Sequence, residues 1–120
     1  MYKIIACDLD ETLLSDDRTI SKENIEAIQK AKELGVKFVP ATGRGFNTVG
    51  GTLKDLGLYD LENEYVISYN GGAITENKGS KLLHFEGISF EKASELYKRG
   101  LDYDVCILSL IHISEPTRLA

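Results

Sequence analysis

Apolar and polar positions fall in blocks along this 120-residue chain, and the blocks change period in a regular order. Lys3-Ile4-Ile5-Ala6-Cys7 is an almost unbroken apolar run, the pattern of a strand buried on both faces of a parallel sheet. It stops at Asp8-Leu9-Asp10-Glu11-Thr12. Two short arms, Leu13-Leu14 and Thr19-Ile20, flank the polar Ser15-Asp16-Asp17-Arg18 and predict a small hairpin or flap. Ser21 then opens a helix: its hydroxyl can cap free N–H groups, and Ile20 and Ile25 stand at staple spacing. Ile25, Ile28, Ala31 and Leu34 follow at helical intervals, with Gly35 as the stop.

The alternation then repeats. Val36-Lys37-Phe38-Val39-Pro40 reads as a second strand running into Ala41-Thr42-Gly43-Arg44. A second helix carries Phe46, Val49, Leu53 and Leu56 on one face and ends at Gly57; Gly50 and Gly51 predict a late or irregular start, because each weakens a helix by up to about 1 kcal/mol relative to alanine. Tyr65-Val66-Ile67-Ser68-Tyr69 is a third strand closed by Asn70-Gly71-Gly72. Ala73-Ile74-Thr75 and Lys81-Leu82-Leu83-His84-Phe85 form an antiparallel pair around Glu76-Asn77-Lys78-Gly79. Ser89 caps a third helix with Phe90, Ala93, Leu96 and Tyr97, ended by Gly100.

Strand, helix, strand, helix, strand is the pattern of a doubly wound (Rossmann-like) α/β domain with a parallel sheet, which places ligands at the carboxyl ends of its strands. Those three ends carry Asp8-Leu9-Asp10, Thr42-Gly43-Arg44 and Asn70-Gly71-Gly72. The polar clusters are therefore expected on one rim.

Composition narrows the class without changing this picture. Hydrophobic residues at 42% and charged residues at 28% are the mix of a soluble globular protein. The length fits one domain or a piece of one. No charge-free stretch approaches the about 20 residues a bilayer needs, and an aspartate arrives too early for a secretory signal, so the expectation is a cytoplasmic protein without a membrane partner. With 19 acidic against 14 basic residues, a net charge of −5 and no basic cluster, there is no footprint for nucleic acid. Cys7 and Cys106 read as small buried apolar residues rather than a disulfide.

From Leu108 the text changes character. Leu108-Ser109-Leu110-Ile111-His112-Ile113-Ser114-Glu115-Pro116-Thr117-Arg118 resembles the in-frame translation of the transposase-end adaptor used to prepare sequencing libraries. Residues 108–120 are therefore set aside from fold and function, His112 included, and the natural text is expected to break off near Ile107.

Asp8 and Asp10 stand one residue apart at a strand end, where two carboxylates repel unless a cation lies between them. Mg²⁺ suits such a pair: it is a hard cation held by one or two carboxylates, waters and a substrate phosphate. Two acids can also merely solvate a strand end, Thr42 can be an ordinary strand-end residue, Arg44 a surface residue at a helix start, and Asn70-Gly71-Gly72 only a turn. Their common position on the rim favours a site.

At this point the chain resembles the haloacid dehalogenase superfamily of phosphatases and phosphotransferases. The likeness rests on Asp8-Leu9-Asp10-Glu11-Thr12-Leu13 and on the threonine of Ala41-Thr42-Gly43-Arg44. With Leu13-Leu14 before a flap and Ser68-Tyr69-Asn70-Gly71-Gly72-Ala73, it looks most like the Cof-type, sugar-phosphatase-like branch, which carries a large α/β cap. The resemblance implies a core part over residues 1–84 and the start of a cap over 85–107. It further implies Asp8 as a nucleophile forming an aspartyl-phosphate, Asp10 as general acid and then base, and Mg²⁺ on Asp8 and the backbone carbonyl of Asp10. Thr42 and the Gly43 N–H would bind the phosphoryl group, and Arg44, Asn70 and Gly71 would face a small phosphorylated metabolite.

Two departures stand out. Glu11 occupies a position where the family more often has glycine. The family's third-motif lysine and fourth-motif acidic pair have no counterpart here, since Lys78, Lys81 and Lys98 fall too early. Two other readings follow from the same residues. A receiver-type signalling domain would keep its phosphoacceptor aspartate at the end of the third strand, where this chain has Tyr69-Asn70-Gly71. The 120-residue chain itself would be an inactive, aggregation-prone fragment if half its core is missing.

Overall fold

The structure is a computed structural model that describes residues 1–108. A first compact unit spans Met1–Glu86 and a second begins at Gly87. From Ser109 on, the adaptor-like string and His112 lie outside the described residues.

The first unit is built on one five-stranded sheet in the order β1-β2-β3-β4-β5. β1 (Ile4–Asp8), β2 (Lys37–Ala41) and β3 (Tyr65–Ser68) are parallel; β4 (Ala73–Glu76) and β5 (Lys81–Phe85) close it as an antiparallel pair. The α/β class and the strand–helix alternation are as expected, and the sheet is mixed rather than parallel throughout. Pro40 is the fourth of the five residues of β2. Lys37 N–H donates to Lys3 on the β1 side and Thr42 N–H to Ile67 on the β3 side, so donors at even positions face β3. Pro40 has no N–H to give there, and β2 meets β3 in register only at Ala41 and Ile67.

α1 (Lys22–Glu33) and α2 (Gly50–Leu56) touch each other on one face of the sheet. Ile28, Leu53 and Leu56 pack there with Phe38, Val66, Leu9, Leu13, Leu14 and Ile20. Ser21 Oγ accepts the Asn24 N–H at 3.2 Å, capping α1 as the sequence indicates. Gly35, at φ 84°, follows its end, where Val36 N–H returns to the Ala31 carbonyl. The start of α2 is irregular: a short tight turn at Phe46–Thr48 precedes it, and Gly57 at φ 72° ends it.

Four expectations need correction. β1 is not buried on both faces: Ile4 is 62% and Ile5 42% exposed, on a strand at the edge of the sheet. The flap has no strands. It is a turn in which Ser15 N–H donates to Thr19 O, while Asp17 takes both the N–H and the hydroxyl of Thr19, which hold its carboxyl below the ordinary value. Leu34 is 70% exposed, since the helix closes one residue before it and turns it outward. Cys106 is exposed, and only Cys7 packs against the core.

The second unit contains α3 (Phe90–Gly100), capped by Ser89 Oγ on the Lys92 N–H at 3.1 Å. The helix ends at Gly100, as the sequence indicates.

Candidate active site

β1 ends on Asp8, which pairs with Ala41 of β2. Parallel pairing brings the next residues of both strands out at the same end, so Asp8 and Thr42 share one rim. After Asp8 the chain makes a single wide turn, Leu9–Leu13, closed by Leu14 N–H donating to the Leu9 carbonyl at 2.9 Å. Leu9 is fully buried and pins this turn to the core. Inside it Asp10 is extended, and Glu11 adopts a left-handed conformation at φ 61°. That backbone suits glycine, which pays no steric penalty there, whereas glutamate does.

Thr12, four residues after Asp8, donates its hydroxyl to Asp8 Oδ2 at 2.9 Å. One carboxylate oxygen is thereby tied and the other left for chemistry. In the sequence Thr12 belongs to the motif, and nothing local gives it a role. The signal was its spacing, which a wide turn folds back onto the aspartate.

The second loop is fixed by the third. Asn70 N–H donates to the Thr42 carbonyl at 3.1 Å, and Tyr69 N–H to the Arg44 carbonyl at 3.0 Å. Tyr69, Asn70 and Gly71 all have positive φ, at 51°, 55° and 93°. For a tyrosine this is a strained conformation, and such strain gathers at functional sites. The side chains interlock as well. A Cβ on Gly43 would lie 2.9 Å from Asn70 Oδ1, and one on Gly45 would lie 2.7 Å from the Tyr69 hydroxyl. Tyr69 also meets Phe46 edge to face, with ring centroids 6.0 Å apart.

Thr42 is buried, and its Oγ1 accepts the Arg44 N–H at 3.0 Å. Its hydroxyl proton remains available to a ligand oxygen. Arg44 Nε stands 3.3 Å from Asp10 Oδ2, an ion pair between the first and second loops. That nitrogen is shut off from solvent and makes no aligned hydrogen bond. Asp8, Asp10, Thr42, Gly43, Arg44 and Asn70 are thus joined by short contacts or strand register, and Gly71 continues the same loop. Cys7, just before Asp8, has its thiol pushed above the ordinary value by burial and by the Asp8 charge, so it adds no thiolate here. A depression of about 400 Å³ is lined by Phe90, Glu91, Ser94, Glu95 and Lys98 of α3 and includes none of these residues.

The donors available to a metal are carboxylate and carbonyl oxygens, the hard ligands that suit Mg²⁺. Among the described residues no three His, Cys, Asp or Glu side chains gather as a cage. Two carboxylates fit an ion that keeps waters and borrows substrate oxygens, and do not fit one that needs a full protein shell.

A family model described as haloacid dehalogenase-like hydrolase matches residues 5–114. The chain belongs to the haloacid dehalogenase-like hydrolases. Within that family it is of the Cof type. The chain is 35% identical over 102 residues to the Bacillus subtilis protein YxeH, covering 85% of this chain and 37% of that one. It is 38% identical over 90 residues to the B. subtilis 5-amino-6-(5-phospho-D-ribitylamino)uracil phosphatase YcsE, covering 72% of this chain and 34% of that one. A haloacid dehalogenase-like hydrolase from B. subtilis superposes with a TM-score of 0.71 at 33% identity, over 83% of this chain and 33% of that one. The chain spans about a third of the length of the curated relatives it matches. Among the described residues no helix is long and apolar enough to cross a membrane.

Proposed function

We propose that the whole protein carrying this chain is a cytoplasmic, Mg²⁺-dependent phosphatase of small phosphorylated metabolites, sugar phosphates or phosphorylated cofactors. The observation that carries this reading is the pairing of Asp8 with Ala41, which sets the Asp8 carboxylate beside the Thr42 loop. The phosphatase name of the relative YcsE, whose substrate is a phosphorylated ribityl compound, supports the reaction and the substrate class.

In this reading the Asp8 oxygen not held by Thr12 attacks phosphorus. An aspartyl-phosphate bond forms, and the bond from phosphorus to the leaving oxygen breaks. Asp10 gives that oxygen its proton. Asp10 then takes a proton from water, the water oxygen attacks phosphorus, the bond to Asp8 breaks, and inorganic phosphate leaves. Thr42 donates its free hydroxyl proton, and Gly43 its N–H, to the equatorial phosphoryl oxygens, where charge accumulates. Mg²⁺, held by the Asp8 carboxylate and the Asp10 carbonyl, supplies neutralising charge when bound. Arg44, Asn70 and Gly71 line the substrate side of the rim, and the segment from Gly87 begins a cap. The remaining lysine and acidic residues of the reaction belong to sequence beyond this chain.

The test is phosphate release by the whole protein from p-nitrophenyl phosphate and from a panel of sugar phosphates. Asp8→Asn is expected to lower release by about three orders of magnitude. Chelation is expected to abolish release and added Mg²⁺ to restore it. Equal release by the wild type and Asp8→Asn defeats the reading.

A further inference from the structure

The reading above leaves one contact without a role, the ion pair from Arg44 to Asp10. Arg44 is anchored at both backbone ends: its N–H donates to Thr42 Oγ1, and its carbonyl accepts the Tyr69 N–H. Its side chain is only 29% exposed, and its Nε is closed to solvent. Asp10 is the opposite case. It lies on an extended backbone before the left-handed Glu11, its side chain is 46% exposed, and among the described residues its carboxylate is ion-paired with Arg44 alone. A short acid on an open turn has several rotamers available. A rigidly held guanidinium 3.3 Å away selects one of them.

We infer that Arg44 is a positioning residue for Asp10: it acts through the general acid, and its job is not to bind the phosphoryl group. This rests on the phosphatase reading of the site. Within that reading it assigns the protonation of the leaving oxygen to a pair from two loops. The contact is made by one nitrogen rather than by a bidentate fork. A lysine, whose charge falls one bond further along, is therefore a partial substitute.

Leaving-group chemistry tests it. An alkyl phosphate needs a proton on its departing oxygen, whereas p-nitrophenolate departs without one. In the whole protein, R44M is expected to lower kcat/KM at least about tenfold for an alkyl sugar phosphate, and no more than about threefold for p-nitrophenyl phosphate. D10N should show the same split in larger measure. R44K should recover part of the alkyl activity, and D10N/R44M should be no worse than D10N, as for two residues acting as one unit. Should R44M fail to fold, as judged by thermal melting, R44K and R44Q carry the same comparison. Equal losses on both substrates, a rise in KM alone, or full additivity with D10N overturns the assignment. If release does not depend on Asp8, the phosphatase reading falls and this inference with it. Asp8-dependent release with no leaving-group split sinks the inference alone.

Discussion

At the residue scale, the left-handed positions separate what a sequence can show from what it cannot. Glu11 is visible in the sequence as a departure from the family's usual glycine, and the structure shows what it costs, a left-handed φ of 61°. Left-handed backbone costs an L-residue roughly 1–2 kcal/mol, and glycine returns some of that through its freer unfolded chain. Glu11→Gly is therefore expected to raise the unfolding free energy by up to about 1 kcal/mol in urea denaturation, and Glu11→Ala to leave it unchanged. A loss on Glu11→Gly refutes this account of the strain. Gly43 is the converse. Its need for glycine comes from Asn70 Oδ1, 27 positions away in sequence, which would stand 2.9 Å from a new Cβ. Gly43→Ala should push the two loops apart and lower activity, and Asn70→Ala in the same chain should restore part of it, read as kcat/KM for one sugar phosphate. Thr12 follows the same logic: its bond to Asp8 exists only because the turn is wide.

Elements were legible where their causes are local. Ser21 and Ser89 cap their helices, Gly35 and Gly57 stop theirs, and the pair of glycines at 50 and 51 comes with an irregular start to α2. Each is settled within a few residues of chain. Ser21→Ala should remove one cap bond and cost about 1 kcal/mol in thermal or urea unfolding, against a few tenths for Ser21→Gly. An unchanged midpoint for Ser21→Ala would show that α1 is held by packing alone. Burial is different, because it depends on which elements arrive on the far side. The apolar run of β1 looked like a central strand, yet Ile4 and Ile5 are 62% and 42% exposed. The same limit applies to Leu34, whose helical spacing said nothing about where α1 closes.

At the scale of the whole molecule, the edge strand β1 carries both exposed apolar residues and the first aspartate of the site. Among the described residues β1 pairs with β2 alone, so its outer edge can meet another chain, and Ile4 and Ile5 are exposed along it. Unpaired edges beside apolar surface promote edge-to-edge association. Asp8 closes that same strand, so association through β1 also crowds the carboxylate that the proposed chemistry needs. The 120-residue chain on its own is thus expected to self-associate and to release no phosphate. Light scattering should rise with concentration, and Ile4→Lys, which puts charge on the exposed edge, should suppress the rise without restoring activity. Suppressed scattering together with Asp8-dependent turnover would mean that association alone silences the chain. A monodisperse wild-type monomer with a sharp cooperative melt would remove the edge argument altogether.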